Sequence, residues 1–206
     1  MNSMTTIHLE RASQDPPRGL AELLTALGAG DGGFSGTSFG RGECSLDDFL
    51  LACMNGEDPA VALAQGVVPQ TTCWMIAGVD RRAVGAVRVR HRLNDRLLRG
   101  GGHIGYYVHP AHRRNGYATR ALGLALDRLR ELGVPKALLT VDPANVASTR
   151  VILAHGGEAD GQGTEPDTGR ALVRYWIDLS AVRAVPNEQL CVQPPLRFPR
   201  GAEPRP

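Results

Sequence analysis

The chain of 206 residues has 23 Lys and Arg residues against 21 Asp and Glu, a formal net charge of +2. Its 42% hydrophobic and 21% charged residues are typical of a soluble globular protein. The near balance of charge argues against a dedicated nucleic-acid surface, and no apolar run approaches the length of a membrane span. The length suits one domain with appendages.

The N-terminal residues lack a basic segment followed by an apolar one, so we expect no secretory signal. The four cysteines form neither a C-x-x-C pair nor a Cys/His pattern of metal ligands. We therefore expect reduced thiols in a cytoplasmic protein, with no metal and with neither nucleic acid nor membrane as a partner. The cysteines are Cys44, Cys53, Cys73 and Cys191.

The N-terminal third predicts one short strand and two helices. Residues 5–10 form the strand, and Asp15 with two following prolines provides an N-cap for a helix with leucines at helical spacing. Residues 28–42 are rich in glycine and predict a loop, which either shapes a ligand pocket or is a plain connector. A capping box at Ser45 predicts a second helix over 46–54.

The middle of the chain predicts a β-hairpin of residues 70–79 and 83–91, joined by a charged turn. Alternation in its second strand places Arg88 and Arg90 on one face. A connection over 94–102 ends in three glycines. Further strands are predicted at 137–141 and 171–179, with a helix over 146–155 and a polar loop over 161–169.

The central stretch, residues 103–132, reads as a strand, a basic turn and an amphipathic helix. Pro110 closes the strand, and Gly133 suits the end of the helix. The first amides of a helix have no intrahelical acceptor, and Arg113 and Arg114 add charge. Gly116 lets a ligand approach the backbone closely. The stretch therefore predicts a site for phosphate or pyrophosphate.

We expect one domain over residues 1–180, with N-terminal helices at 15–55 included. Residues 181–206 form a Pro/Arg-rich C-terminal tail outside the core.

The basic turn resembles the pyrophosphate loop [QR]-x-x-G-x-[GA] of the GNAT acetyltransferases, with Arg113, Gly116 and Ala118 at its three defined positions. It matches neither G-x-x-x-x-G-K-[ST] nor G-x-G-x-x-G. Asn145 and Ser148, at a second strand-to-helix junction, are similar to motif B of the family, although capping alone would also explain the asparagine. GGHIGY, RR-x-GYAT and RYWI resemble a bacterial subgroup of predicted acetyltransferases.

The resemblance implies an α+β GNAT fold: a mixed, mostly antiparallel central sheet that splays between two strands and is flanked by helices. It also implies acetyl-CoA as cosubstrate, bound in the splay, with the Val108 amide near the thioester carbonyl. The residues expected to bind it are Tyr107, Val108, His109, Arg113, Arg114, Asn115, Gly116, Tyr117, Ala118, Thr119, Asn145 and Ser148.

GNAT enzymes often carry a glutamate near the start of the central strand as general base, and here His103 corresponds to it. Histidine titrates in a suitable range, so the resemblance implies His103 as a catalytic residue. A structural hydrogen bond is the alternative reading. Glu158, His91 and a chain of waters are the other candidates for the base.

The family commonly has a tyrosine four residues after the motif B serine, which protonates the coenzyme A thiolate. Ile152 stands at that position. The resemblance then implies Tyr106 as the catalytic acid, with Tyr107 and Ser148 as alternatives, or a thiolate that leaves unassisted.

Side chains on the hairpin and the last strand are candidates for binding the acceptor, and arginines there would suit an amine that carries a carboxylate. They are Arg90, His91, Asn94 and Trp176.

The expected function is that of an acetyl-CoA-dependent N-acetyltransferase acting on a primary amine of a small molecule, such as an amino acid, a peptide or an amine metabolite. The amine would attack directly through a tetrahedral intermediate. A non-catalytic acyl-CoA-binding or regulatory module is the alternative, and an unrelated nucleotide-binding enzyme is a third reading. GNAT proteins are frequently dimeric, so the resemblance leaves open whether this chain forms a homodimer.

Overall fold

The computed structural model describes residues 6–31, 34–165 and 168–180, which contain two main sheets, a small hairpin and helices on both faces. The tail of 181–206 lies outside the described residues, so the division into domain and tail stays a prediction. The elements are β1 (Ile7–Arg11), α1 (Leu20–Leu27), β2 (Gly30–Asp31), β3 (Phe34–Ser35), α2 (Leu46–Asn55), α3 (Pro59–Ala64), β4 (Gln70–Ala77), β5 (Arg82–Arg90), α4 (Asp95–Arg99), β6 (Ile104–Val108), α5 (Tyr117–Glu131), β7 (Lys136–Val141), α6 (Val146–Leu153), β8 (Glu158–Thr164) and β9 (Ala171–Asp178).

One sheet has the strand order β1-β4-β5-β6 and the other the order β7-β9-β8, and every ladder within them is antiparallel. β6 pairs only with β5, and β7 pairs only with β9, so no ladder joins the two neighbouring edges. The prediction of an α+β fold with a mostly antiparallel sheet that splays between two strands is therefore confirmed.

The two sheets touch at the start of β6, where His103 contacts β7. The His103 amide donates to Leu138 O (2.7 Å), and the Leu138 amide donates to His103 Nδ1 (2.9 Å). Gly102 makes this approach possible, because a Cβ at this position would lie 2.3 Å from Leu138 O. These contacts close one end of the gap between the edges of β6 and β7.

Two apolar clusters hold the sheets and helices together. One lies between the sheets and α5, whose buried Leu122, Ala125 and Leu129 repeat at helical spacing. The other lies on the opposite face, where the four leucines of α1 pack with Trp74 of β4. Burial of these side chains is the main term that stabilises the arrangement.

The N-terminal helix begins later than predicted. Gly19, in the left-handed conformation, precedes α1, and no side chain caps the helix. Asp15 instead accepts from Arg81 Nη1 (3.1 Å), next to an ion pair between Arg81 and Glu10. The prediction of Asp15 as an N-cap is wrong, because a long-range charge partner competes for the same carboxylate.

Several short elements fall in segments predicted as loops. β2 and β3 form a hairpin inside the glycine-rich loop of 28–42, and α4 lies inside the connection of 94–102. β8 occupies part of the polar stretch 161–169. The helix α3 was not predicted, although Asp58 caps it by accepting from the Ala60 amide (2.7 Å).

Candidate active site

A cleft of about 720 Å³ opens between the separated edges of β6 and β7. The start of α5, the start of α6, the basic turn and β9 form its walls, so both predicted strand-to-helix junctions meet in one cavity. The residues that line it include Asp31, Tyr106, Tyr107, Val108, Arg113, Arg114, Gly116, Ala118, Asn145 and Ser148.

The basic turn borders this cleft with Arg113, Arg114 and Gly116. Arg114 (φ 64°) and Gly116 (φ 75°) both have left-handed backbones, which is unusual for a residue other than glycine. Asn115 Nδ2 secures the turn by donating to His112 O (3.0 Å) and Arg113 O (3.3 Å). Within the described part of the chain, the amides of residues 114–119 have no acceptor. This arrangement is suited to an anion.

Arg113 is fixed at the rim of the cleft by two contacts. Its Nε donates to Val108 O (3.1 Å), and its guanidinium forms an ion pair with Asp31 of the β2–β3 hairpin. The guanidinium also lies over the Tyr107 ring, with Cζ 6.0 Å from the ring centroid. Any anion bound by Arg113 therefore competes with the Asp31 carboxylate.

The edge of β6 that faces the gap has unpaired backbone groups. His109 donates to Val84 O of β5 (3.0 Å). In an antiparallel ladder, residues alternate between pairs that exchange hydrogen bonds and pairs that do not, so Tyr107 also bonds toward β5. The amides of Tyr106 and Val108 then point into the cleft, away from β5.

The start of α6 forms the opposite wall. Asn145 Oδ1 accepts from the Ser148 amide (3.0 Å), which is the geometry of an N-cap. The Ser148 hydroxyl lies 2.7 Å from the Tyr106 hydroxyl across the cleft. Burial raises the pKa of Tyr106, and the hydrogen bond with Ser148 opposes that shift. The Tyr106 hydroxyl is therefore protonated at neutral pH and lies at the wall of the cleft.

Ile152, at the position where the family commonly has a tyrosine, is fully buried and contributes no polar atom. It packs onto Gly157, where an added Cβ would lie 2.4 Å from Ile152 Cγ2. The Tyr106 hydroxyl meets α6 at Ser148, one helical turn before Ile152.

His103 is 5% exposed, and its Nδ1 accepts from the Leu138 amide. Since an amide can only donate, the neutral ring carries its proton on Nε2 and has no lone pair left for an amine proton. Burial, and secondarily the charge of Arg90, lower the pKa of His103 to about 4. The observed contacts hold the two sheets together, and the role of His103 as a base stays a prediction.

A second, smaller cavity of about 50 Å³ adjoins the cleft at the closed end of the gap. Arg88, Arg90, Phe34 and Ser35 line it on the side of the first sheet. Four residues line both this cavity and the cleft: Gly101, Tyr106, Thr140 and Ser148. The two cavities therefore share a wall, and Tyr106 belongs to it.

The structure brings together only part of the predicted site. Arg90 lines the small cavity, but His91, Asn94 and Trp176 line neither cavity. His91 Nε2 contacts Thr71 Oγ1 (2.8 Å), Asn94 caps α4, and Trp176 donates to Asp160. Their role in acceptor binding stays a prediction.

Among the predicted coenzyme ligands, His109 and Asn115 line neither cavity. His109 Nδ1 accepts from the Ala111 amide, and Asn115 Nδ2 donates to His112 O. The remaining ten line the large cleft.

Sequence reasoning missed Asp31, Phe34 and Ser35 as individual site residues. The only signal for them was the glycine-rich loop, in which Phe34 is one of few large apolar side chains. That pattern suggested a loop that shapes a pocket, but it did not predict where in the fold the pocket lies. Within the described ranges, no helix combines the length and hydrophobicity needed to span a membrane. In the same ranges, no group of three or more His, Cys, Asp or Glu side chains is placed to hold a metal ion.

A family model described as the acetyltransferase (GNAT) family matches residues 46–156, which is more than half of the chain. The chain therefore belongs to the GNAT acetyltransferase family, and it is an acyltransferase. No protein of curated function matches the sequence.

Solved structures share the fold at low sequence identity. YncA from Salmonella typhimurium, whose structure contains acetyl-CoA, is 17% identical with a TM-score of 0.57, over 88% of this chain and 98% of its own. A GNAT-family acetyltransferase from Streptococcus pneumoniae is 16% identical with a TM-score of 0.54, over 83% and 98%. ACIAD1637 from Acinetobacter baylyi is 16% identical with a TM-score of 0.55, over 86% and 94%.

Proposed function

We infer that this chain is an acetyl-CoA-dependent N-acetyltransferase that acts on the primary amine of a small molecule. One observation carries the proposal: the basic turn with its unpaired amides, the unpaired edge of β6 and the start of α6 border one cleft of about 720 Å³. An extended ligand with a diphosphate at one end fits such a cleft. YncA, which has the same fold, contains acetyl-CoA.

The described residues fit coenzyme A along its length. The diphosphate would accept from the amides of 114–119, with Arg114 adding charge at the exposed rim. The pantetheine amides would pair with the edge of β6, as a further strand would. Asn145 and Ser148, at the start of α6, would contact the part of the ligand that lies across the gap.

When bound, acetyl-CoA supplies an acetyl group that is activated as a thioester. The amine nitrogen forms a bond to the acetyl carbonyl carbon, and the carbon–sulfur bond breaks with its electron pair going to sulfur. Sulfur takes up one proton and nitrogen loses one. The amide of Val108, which points into the cleft, would donate to the carbonyl oxygen where negative charge develops.

Tyr106 would give its proton to the leaving sulfur. Its hydroxyl is protonated at neutral pH, lies on the wall shared by both cavities and is held by Ser148 at 2.7 Å. Ser148 would return a proton to the tyrosine from solvent. The hydroxyl thereby replaces the tyrosine that the family commonly has at the position of Ile152.

The proton of the amine needs another route if His103 keeps its contact with Leu138. Water that enters through the open cleft would accept it, and Arg88 and Arg90 lower the pKa of a neighbouring ammonium group by repulsion. His103 would act as the base only after it releases the Leu138 amide.

The proposal is tested by release of free thiol from acetyl-CoA with a panel of primary amines, with the N-acetyl product identified by mass spectrometry. Amine-dependent thiol release above the rate of hydrolysis supports it. Binding of acetyl-CoA without transfer to any amine would instead indicate a non-catalytic acyl-CoA-binding module. The specific observation that favours this second function is the absence of a free lone pair on His103.

A further inference from the structure

Arg88, two residues before the end of β5, is a cation that lines the small cavity. Its neighbours in the sheet are Thr72 on β4 and Gly105 on β6. Its guanidinium donates to Ser35 Oγ (3.1 Å) and lies over the Phe34 ring, with Cζ 5.0 Å from the centroid. The Phe34 ring can approach because position 105 is glycine, where an added Cβ would lie 3.3 Å from the ring.

The charge of Arg88 is not balanced by the protein. Among the described residues, no Asp or Glu forms an ion pair with Arg88 or with its neighbour Arg90. The Nε atom of Arg88 is buried and has no hydrogen-bond partner. Arg90 donates only to carbonyl oxygens, those of Gly101 (2.9 Å) and Gly102 (3.0 Å). Both side chains are partly buried, and a cation that is withdrawn from water without a counter-ion costs stability.

Burial lowers the pKa of both arginines, that of Arg90 to about 10. A guanidinium is not deprotonated in proteins at neutral pH, so both carry a positive charge. Arg113 and Arg81, in contrast, each form an ion pair with a carboxylate of the chain. The two cations that line the small cavity therefore differ from Arg113 and Arg81 in having no carboxylate partner among the described residues, and they attract an anion.

The small cavity places such an anion beside the reaction. It adjoins the coenzyme cleft at Tyr106 and Ser148, and its volume of about 50 Å³ suits a small group. A carboxylate matches the planar fork of a guanidinium, which binds it with two parallel hydrogen bonds. The amine of the same molecule would then reach the shared wall of the two cavities.

We propose that Arg88 binds a carboxylate of the acceptor, with Arg90 adding charge, so that the substrates are small amines that carry a carboxylate, such as amino acids. The proposal rests on the proposed function, because it assigns the acceptor of the same reaction. It makes Arg88 a specificity-determining residue. Phe34 and Ser35 hold the guanidinium in place for this contact.

The experiment compares matched pairs of acceptors: L-amino acids, their amides and their decarboxylated amines. Dipeptides in the same panel distinguish a free amino acid from a peptide C-terminus. Turnover is measured by thiol release, and binding is measured by calorimetry in the presence of coenzyme A. We expect kcat/KM to be about 100-fold higher for the carboxylate than for the amide or amine of the best pair, as for a buried charged contact.

Arg88→Met keeps the apolar length of the side chain and removes the charge, and Arg88→Lys keeps the charge without the fork. Arg92→Met is the matched control, since Arg92 is an exposed arginine just beyond the end of β5. We expect R88M to lose the preference for the carboxylate, R88K to retain part of it, and R92M to behave as wild type. Affinity for acetyl-CoA should be unchanged in all three.

Thermal unfolding separates a binding role from a structural one. Removal of a partly buried charge that no carboxylate balances should leave the midpoint of R88M unchanged or raise it. A lower midpoint with an unchanged preference for carboxylates would overturn the proposal, as would a panel in which no carboxylate is bound better than its amide. If carboxylates bind through Arg88 but no acetyl transfer occurs, the proposed function fails and the assignment of Arg88 stands.

Discussion

The large cleft, where we propose that the coenzyme binds, and the small cavity, where we propose that the acceptor carboxylate binds, share one wall but are built in different ways. The cleft is formed largely by backbone: the amides of 114–119, the edge of β6 and the start of α6. The small cavity is lined by residues of β3, β5, β6, β7 and α6 that are far apart in sequence, among them the side chains of Phe34, Arg88 and Arg90. The first arrangement suits a ligand that all members of a family use, and the second suits a ligand that distinguishes one member from another.

This difference has a consequence for substitutions. Backbone donors are lost only when the shape of the turn changes, whereas a side-chain contact is removed by a single exchange. Residues on the shared wall should affect turnover, those of one cavity should affect binding of one ligand, and residues outside both should affect stability alone.

The largest effect is expected for Tyr106→Phe on the shared wall. Loss of the proton donor should lower kcat by about 10- to 100-fold. This is at the low end of what a general acid contributes, because a thiolate is a good leaving group even without protonation. Affinity for acetyl-CoA should stay the same. Rates are measured with saturating acetyl-CoA and the best amine of the panel.

Tyr107→Phe is the control for this change. Tyr107 is the next residue of β6, and its hydroxyl has no hydrogen-bond partner within the described ranges. If Y107F lost the activity and Y106F retained it, the acid would be Tyr107, and Tyr106 would be a structural residue.

His103 lines neither cavity, so it should affect stability rather than binding. Its pKa of about 4 in the folded chain lies below the unfolded value of 6.5, and the folded state therefore disfavours the protonated ring. This contribution to stability is fully present above pH 6.5 and is lost as the pH falls toward 4. The loss should be on the order of 2 kcal/mol.

The comparison variant is His103→Asn, whose amide oxygen can accept from Leu138 but does not titrate. Free energies of unfolding are measured by denaturant titration from pH 4 to 7.5. The wild-type curve should fall more steeply below pH 6.5 than the H103N curve, and parallel curves would contradict the assignment.

A smaller effect is expected for Asp31→Asn at the rim of the cleft. The change frees Arg113 from its ion pair and removes a negative charge near an anionic ligand. Since exposed ion pairs contribute up to about 1 kcal/mol, affinity for acetyl-CoA should rise about 2- to 5-fold at low salt. Asp80→Asn is the control, because Asp80 is an equally exposed carboxylate with arginine partners away from the cleft. Equal affinities in the two variants would exclude competition by Asp31.

The cleft, with the two strand-to-helix junctions that border it, could be predicted closely from the sequence. The strand of 104–108 is confirmed, and α5 begins at Tyr117 after Gly116 and ends before Gly133, as the periodicity and the glycines indicated. Asn145 caps α6 as expected. These features are local, because each depends on residues within a few positions of one another.

The small cavity, which depends on contacts between side chains, was predicted only in outline. Arg88 and Phe34 meet across more than fifty positions of the chain, and nothing in the local pattern fixes that contact. His91 and Trp176 were predicted to bind the acceptor from their residue type alone. In the structure they form hydrogen bonds with Thr71 and Asp160 outside the two cavities. The short helices α3 and α4 depend on caps that are weak signals on their own.

The central claim, that backbone amides of the basic turn bind the diphosphate of acetyl-CoA, is tested most directly with two matched glycine variants. Gly116 and Gly133 flank α5, have φ values of 75° and 73°, and have open space where a Cβ would lie. A valine should therefore cost each position similar backbone strain, but only position 116 faces the cleft.

Dissociation constants for acetyl-CoA are measured by calorimetry for the wild type, Gly116→Val and Gly133→Val. We predict that G116V binds about 10-fold more weakly or worse, as expected for loss of a charge-assisted hydrogen bond, and that G133V binds as the wild type does. Wild-type affinity in G116V, or an equal loss in both variants, would contradict the claim.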